Sequence, residues 1–212
     1  MGVKERQERE REAVARAILV AARELFVAEG YRNVSIRKIA EKIEYSPAAI
    51  YGYFESKDDI FLALAEEGFR MLFAPGHEVP ASDPIERIRG GFWRLYEFSK
   101  AHPEYYALMF LDRSVPPISK DWQRFGFVHE LKGQFAAHIQ SVIDAGLLHR
   151  ETKADAAFRI LMAAIHGVAA MRLCGRLGPH EDADALARDT LEAALTGLRT
   201  GISHTFHPEP CE

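Results

Sequence analysis

The sequence predicts an all-α protein, with a three-helix segment near the N-terminal end and a larger helical domain after it. Alanine, leucine, glutamate and arginine, which favour helices, are abundant along all 212 positions. No run alternates apolar with polar residues, and no Asn-Gly or Asp-Gly pair marks a hairpin. Apolar residues instead recur every three or four positions, between serine, aspartate, proline and glycine residues that suit helix ends.

Composition excludes several classes of protein. Apolar residues make up 48% and charged residues 27%, as in an ordinary globular domain. The first twelve residues, MGVKERQERERE, have no apolar core, and no stretch approaches 18 uncharged apolar residues. We therefore expect neither a secretory signal nor a membrane span. Two cysteines, Cys174 and Cys211, cannot form a disulfide framework, which favours a cytoplasmic location.

The first predicted helix runs from about Arg11 to Glu29, and Gly30 suits its end. Residues 3–12 alternate basic and acidic side chains without an apolar stripe, which indicates a solvated or disordered arm. The helix itself carries one apolar stripe, formed by Val14, Ile18, Ala21 and Leu25.

Two short helices follow, each opened by a serine cap. Ser35 begins a helix that extends to about Ile43, and Ser46 begins a third helix that runs from Pro47 to about Phe54. Two short helices joined by a tight turn and braced by a longer helix form a helix-turn-helix unit. Ile50 and Phe54 give the third helix an apolar inner face. Its outer face is small and nearly uncharged, consisting of Ala48, Ala49, Gly52 and Tyr53.

This outer face suits close approach to the major groove of DNA, where base edges and thymine methyl groups are accessible. Groups that could bind phosphate surround it: the hydroxyls of Ser35, Ser46, Tyr51 and Tyr53 and the cations of Arg37, Lys38 and Lys57. Residues 1–57 carry eleven basic and nine acidic side chains, whereas the rest of the chain has an acidic excess. Spacing alone leaves a second interpretation open, a helical bundle with a patch of alanines on its surface.

The remaining helices are predicted from their caps and breaks. Ser56 begins a fourth helix that ends near Phe73, and a loop follows at 74–82. We therefore divide the chain into residues 1–57 and residues 58–212. The later helices are expected at 84–101, 103–111, 119–145, 152–175 and 183–202, before a loose tail.

The segment AARELFVAEGYRNVSIRKIAEKIEYSPAAIYGYFESKDDIF resembles the DNA-binding head of the TetR family of bacterial regulators. The resemblance extends from Ile18 to Leu64. It rests on Ala21-Ala22, Leu25-Phe26, Gly30-Tyr31, Ser35 to Ala40, Ser46 and Ile50-Tyr51-x-Tyr53-Phe54-x-x-Lys57. It implies a homodimeric transcriptional regulator, most simply a repressor, that binds a palindromic operator and leaves it when a small molecule binds.

The resemblance also implies which residues meet DNA: Ser35, Arg37, Ser46, Pro47, Ala48, Ala49, Tyr51, Gly52, Tyr53 and Lys57. In this family Tyr51, Tyr53 and Lys57 would bind the DNA backbone. Two residues depart from the family's pattern. Glu44 stands where glycine is usual, and Gly52 replaces a larger residue that is often polar.

The C-terminal half is the effector-binding and dimerising domain in this family. The resemblance implies a pocket for an apolar or aromatic molecule, lined by Trp93, Tyr96, Tyr105, Met109, Phe110, Phe127 and His166. Ile165-His166-Gly167 resembles a Trp-His-Gly signature of one subgroup, although His166 could instead be satisfied by a neighbouring carbonyl group. The last two helices are apolar on more than one face, which predicts a dimer interface at Leu161, Ala164, Val168, Leu186, Leu191, Ala194 and Leu198.

No cofactor or structural metal is expected. The nine histidines show no metal-ligand spacing, although a weak site at His204, His207 and Cys211 is conceivable. Two alternatives to an effector-controlled regulator stay open. One is a helical-bundle enzyme that uses His166 with Glu130 or Asp155, and the other is a regulator of the same fold without a ligand.

Overall fold

The structure, a computed structural model, describes residues 2–74, 83–116 and 123–201, and of residue 3 the backbone alone. Within these ranges it contains nine α-helices and no strand, in agreement with the predicted all-α class. Trp122, most of the predicted loop at 74–82 and the tail with His204, His207 and Cys211 lie outside the described residues. The helices are α1 (Val3–Glu29), α2 (Ile36–Lys42), α3 (Pro47–Tyr51), α4 (Lys57–Leu72), α5 (Pro84–Ala101), α6 (Pro103–Tyr106), α7 (Gly126–Asp144), α8 (Ala154–Leu173) and α9 (Ala183–Thr200).

The three serine caps that the sequence predicts are present in the structure. The Oγ atoms of Ser35, Ser46 and Ser56 accept hydrogen bonds from backbone N–H groups at 3.3, 3.2 and 3.1 Å. Asp182 caps α9 in the same way, at 2.9 and 3.1 Å. The sequence Thr152-Lys153-Ala154-Asp155 has the spacing of a capping box, but Thr152 does not cap α8. It is buried, and the cap position is occupied by Lys153, which makes no side-chain cap bond.

Residues 3–12 form part of α1 rather than a loose arm. The segment is rich in glutamate, arginine and lysine, which favour helices even where nothing packs on them. Arg6 and Glu10, four residues apart, form an ion pair at 2.8 Å, as such spacing allows on a helix surface. The missing apolar stripe therefore indicated exposure of this segment, not loss of helix.

The chain divides into two compact units, and their limits differ from the predicted boundary at residue 57. The first unit contains residues 1–71 and 102–125, and the second contains residues 72–101 and 126–212. Most of α4, together with α6 and the π-helical turn Ala107–Leu111, thus belongs with the helix-turn-helix segment. A single domain boundary in the sequence cannot give this grouping, because α6 and the π-helical turn join the helix-turn-helix segment only in the folded chain.

In the first unit, α1, α2 and α3 share a core that includes Ile18, Phe26, Ile39 and Ile50, each no more than 2% exposed. α6 and the π-helical turn pack closely on α4 at Gly68. A Cβ atom there would lie 2.3 Å from Met109 Sδ and 3.1 Å from a ring carbon of Tyr105.

In the second unit, α8 packs against α5, α7 and α9. By length and composition alone, α8 could cross a membrane. The search of the sequence for 18 uncharged apolar residues did not identify this helix. Its inner side is buried by the three neighbouring helices, as is usual for a core helix. An aromatic cluster of Phe92, Phe135 and Phe158 fills one part of this core.

Candidate nucleic-acid interface

Helix α3 presents a small, uncharged surface. It has five residues and ends at Tyr51, three residues earlier than predicted. Ile50 is fully buried, whereas Ser46, Pro47, Ala48, Tyr51 and Gly52 are exposed, and Ala49 is half-buried. A helix of this length is unstable alone in water, so its position depends on the elements beside it.

Arg11 of α1 is one of those elements. Its Nη2 atom donates a hydrogen bond to the carbonyl oxygen of Gly52 at 3.2 Å, and its guanidinium lies 5.4 Å from the centre of the Tyr53 ring. A cation at a helix C-terminus is favourable, because the last carbonyl groups there have no partner within the helix. Arg11 therefore holds the end of α3, a role that the sequence interpretation missed because its partner lies 41 positions further along the chain.

The ammonium group of Lys57 is bonded within the protein and is not a free cation that could bind phosphate. Its ammonium donates hydrogen bonds to the carbonyl oxygens of Tyr31 and Val34, both at 2.9 Å, and lies 4.1 Å from the centre of the Tyr31 ring. The hydroxyl of the buried Tyr31 donates to Asp58, and burial with this carboxylate raises the pKa of Tyr31 well above its usual value. In this structure Lys57 ties the start of α4 to the turn between α1 and α2.

The α2 helix carries the other predicted contacts. Ser35 is exposed although it caps α2, so its hydroxyl can accept the cap hydrogen bond and still face solvent. Arg37 is exposed and pairs with Glu41 at 2.8 Å, one turn along the same helix. Lys38 is tied to Glu29 and to the carbonyl oxygen of Asn33. Of the two predicted cations of α2, Arg37 can therefore turn outward more readily than Lys38. Its movement breaks one exposed ion pair, and such pairs contribute little to stability.

Two tyrosines flank α3 at its opposite ends. Tyr51 is 56% exposed at the C-terminal end, and Tyr45 is 45% exposed just before the Ser46 cap. Tyr53, by contrast, is half-buried beneath Arg11. Tyr45 was not among the predicted DNA contacts. The signal that could have revealed it is a large aromatic residue in the turn between the two short helices.

Glu44 adopts a left-handed backbone conformation, with φ of 59°. A side chain in this conformation costs about 1 kcal/mol, because its Cβ atom crowds the backbone. Glu44 is also exposed in the turn that leads to α3, so it brings a carboxylate near the small α3 surface. The family's usual glycine would avoid both costs.

We expect Glu44→Gly to stabilise the protein by about 1 kcal/mol and to raise its affinity for DNA severalfold. Thermal unfolding and DNA titration measure the two effects. Glu41→Gly, at an exposed carboxylate inside α2, is the control for stability alone, because it also frees Arg37, and it should destabilise the protein by about 1 kcal/mol. A Glu44→Gly protein that is less stable than the wild type would contradict the strain argument.

The predicted pocket residues do not all lie in one compact unit. Trp93, Tyr96, Phe127 and His166 belong to the second unit, whereas Tyr105, Met109 and Phe110 belong to the first. Tyr96 is completely buried and its hydroxyl donates to Asp184 at 2.8 Å, so its polar atom is already satisfied within the core. Trp93, Phe127 and His166 are half-buried, and burial lowers the pKa of His166.

A groove in the second unit adjoins Trp93, but it is polar at its edges. It encloses about 510 Å³, and the guanidinium of Arg188 lies 5.7 Å from the centre of the Trp93 ring. Arg89 pairs with Glu192 across it at 2.7 Å. These charged side chains distinguish the groove from the pocket for an apolar or aromatic molecule, which stays a prediction.

Four of the seven residues predicted for the dimer interface lie inside the subunit. Leu161, Val168, Leu191 and Leu198 are at most 4% exposed, because α5, α7, α8 and α9 bury them against one another. Their apolar character is therefore explained by the core of the second unit. Ala164, Leu186 and Ala194 are half-buried and keep part of their surface accessible.

No group of three or more histidine, cysteine, aspartate or glutamate side chains within the described ranges could hold a metal ion. Cys174 lies at the C-terminal cap position of α8 and is exposed.

Comparison with known proteins places this geometry in a family. The family model for bacterial regulatory proteins of the tetR family matches residues 18–64, and the model for a tetracyclin repressor-like C-terminal domain matches residues 92–194. The subgroup with the Trp-His-Gly signature is not identified by these matches and stays a prediction.

Individual relatives are more distant. The chain is 25% identical over 129 residues to the uncharacterized HTH-type transcriptional regulator YuxN of Bacillus subtilis (strain 168), a match that covers 60% of this chain and 44% of that protein. It is 40% identical over 50 residues to the HTH-type transcriptional repressor AcnR of Corynebacterium diphtheriae, which covers 24% and 26% of the two chains. The matches thus span less than half the length of these relatives.

The fold is shared with solved structures of the family. The TetR family transcriptional regulator PfmR from Thermus thermophilus superimposes with a TM-score of 0.67, at 23% identity, over 85% of this chain and 98% of that one. Family members are DNA-binding transcriptional regulators rather than enzymes, which removes the bundle-enzyme alternative. With its N-terminal and C-terminal parts each matched and its fold shared, the chain belongs to the TetR family of bacterial transcriptional regulators.

Proposed function

We propose that this protein is a cytoplasmic repressor that binds a palindromic operator as a homodimer and releases it when a small apolar or aromatic molecule binds. The observation that carries the proposal is the exposed, uncharged surface of α3, held between the Ser46 cap and the Arg11 contact. Such a surface can lie against base pairs in the major groove without a charged side chain in the way.

The contacts on this surface differ in kind. Pro47, Ala48 and Gly52 are apolar and small, so they suit thymine methyl groups and the shape of the groove. Ser35, Ser46 and Tyr51 offer exposed hydroxyls to phosphates, and Arg37 supplies a cation that can reach a phosphate or a guanine. We assign Lys57 to the support of this surface rather than to contact with DNA.

The dimer is supported by an exposed stripe on α8. Ile160, Ala163, Gly167 and Met171 follow one another at three- and four-residue spacing and are exposed or half-buried. Gly167 has no heavy atom within 4 Å of the position where a Cβ would stand, so nothing within the subunit requires glycine there. Small residues on an exposed helix face permit the close approach of a second copy, and Ala164 adjoins this stripe.

We expect Ala163→Glu to convert the protein from dimer to monomer, because it would bury two unpaired carboxylates across a two-fold interface. Sedimentation velocity measures the change. Ala193→Glu, on α9 and also exposed, tests whether that helix shares the interface. A dimer that survives both substitutions would show that α8 and α9 do not form it.

A named relative supports repression, and accessible residues of the second unit support effector binding. AcnR, which is similar to this chain over 50 residues, is named a repressor. The half-buried Trp93, Phe127 and His166 are the predicted pocket residues of the second unit that keep accessible surface. A molecule bound there could release DNA only if it favours a conformation in which the two DNA-binding surfaces no longer fit one operator.

Selection from a pool of random DNA duplexes tests the proposal. We expect an enriched sequence with two inverted half-sites, with centres one helical turn or more apart. Apolar and aromatic compounds are then screened for loss of this complex. Enrichment of no sequence would reject operator binding, whereas an operator that no compound releases would favour a regulator without a ligand.

A further inference from the structure

We infer that one face of the first three turns of α1, carrying Lys4 and Arg11, is a second DNA-contacting surface that binds backbone phosphates beside the operator half-site. This inference rests on the proposed function, because it requires α3 to lie on DNA. The inference assigns a role to residues 3–12, for which the sequence alone suggests none.

Arg11 attaches this segment of α1 to α3. The Arg11 guanidinium touches both the Gly52 carbonyl oxygen, at 3.2 Å, and the Tyr53 ring. One N–H group makes the bond to Gly52, and the guanidinium remains exposed with further donors. The α1 helix therefore passes directly beside the C-terminal end of the α3 surface.

The geometry of the helix places Lys4 on the same side. Seven residues correspond to nearly two full turns, so Lys4 lies within about 20° of Arg11 around the axis and about 10.5 Å further along it. That length equals about three base-pair steps of 3.4 Å. Lys4 is exposed, and among the described residues it takes part in no ion pair within 4.0 Å.

The charges of the segment differ from side to side. Arg6 lies about 160° from Lys4 around the helix, and its side chain is paired with Glu10 at 2.8 Å. The acidic side chains of Glu5, Glu8 and Glu12 occupy an adjoining side, centred about 70° from Lys4. The segment is neutral overall, so its contribution to DNA binding depends on which side faces the phosphates.

The test measures the affinity of the full chain for its selected operator across a range of salt concentrations. We expect Lys4→Gln to reduce the log–log salt slope by about 0.9 per contacting subunit and to weaken binding about fivefold per contact at ~0.15 M salt, as loss of one phosphate contact predicts. Arg11→Gln should have a larger effect, since it also releases the end of α3.

Arg6→Gln is the matched control, because it removes the same charge from the opposite side of the same helical turns. It should leave both the slope and the affinity unchanged. Equal effects of Lys4→Gln and Arg6→Gln would show a general charge effect and overturn the inference, as would a Lys4→Gln protein that binds like the wild type. Failure of the wild type to bind any sequence would instead reject the proposed function itself.

Discussion

Replacing Ala48 with glutamate is expected to weaken the operator complex by at least about 100-fold. Ala48 is exposed at the centre of the α3 surface, where the proposal places base edges and thymine methyl groups. A carboxylate there would lie in the groove between two rows of phosphates and lose its water without gaining a partner. Like charges brought together at an interface cost several kcal/mol, and about 2.8 kcal/mol already corresponds to 100-fold.

The substitution should leave folding intact, since glutamate favours helices and Ala48 packs in no core. Ala17→Glu, at an exposed position about 120° around α1 from Arg11, makes the same change of charge in the same unit and serves as the control. We expect it to weaken binding only slightly. If Ala17→Glu and Ala48→Glu reduced affinity equally, long-range repulsion would explain both results and α3 would lose its assigned role.

Lys57→Met is expected to destabilise the first unit by about 2–4 kcal/mol and to lower DNA affinity without changing the salt slope. Two hydrogen bonds from the ammonium to the Tyr31 and Val34 carbonyl oxygens would be lost. Hydrogen bonds that involve a charged group contribute about 1.5–3 kcal/mol each, and the loss is smaller than their sum because Lys57 is only half-buried. DNA affinity falls because the turn that positions α2 and α3 opens more often.

The salt slope separates this supporting role from the phosphate contact that the family resemblance implies. Loss of a phosphate contact reduces the slope by about 0.9, whereas loss of support leaves the number of contacts in the bound state unchanged. Hydrogen exchange of the amides at 31–34 reports the opening. Lys153→Met, at an exposed lysine of the second unit, is the control. A lower slope with unchanged exchange would restore Lys57 to the DNA surface.

The sequence predicted the local features of the candidate site better than its contacts. Serine caps at Ser35 and Ser46 are short-range features, and the structure contains both. The roles of Arg11 and Lys57 depend on residues 41 and 26 positions away in the chain, and no local pattern reveals such partners. Glu44 has a positive φ, a conformation that the family's usual glycine at that turn adopts without strain, but the sequence alone did not establish it.

The second half shows why burial is difficult to assign from periodicity. Leu161 and Leu198 are apolar because four helices of one subunit enclose them, yet the same pattern is typical of an interface with a partner. Tyr96 was grouped with the pocket as an aromatic residue, but its bond to Asp184 of α9 satisfies it in the core. Sequence spacing identifies an apolar face without showing which surface covers it.

The most direct test of the account is the salt-dependent affinity of the purified protein for its selected operator, compared with a scrambled duplex of the same composition. The account predicts tight binding to the operator at physiological salt, a preference of at least about 1,000-fold over the scrambled sequence and a log–log slope of several units. Equal affinity for both duplexes would contradict sequence-specific recognition by α3. A flat salt dependence would contradict the phosphate contacts around it.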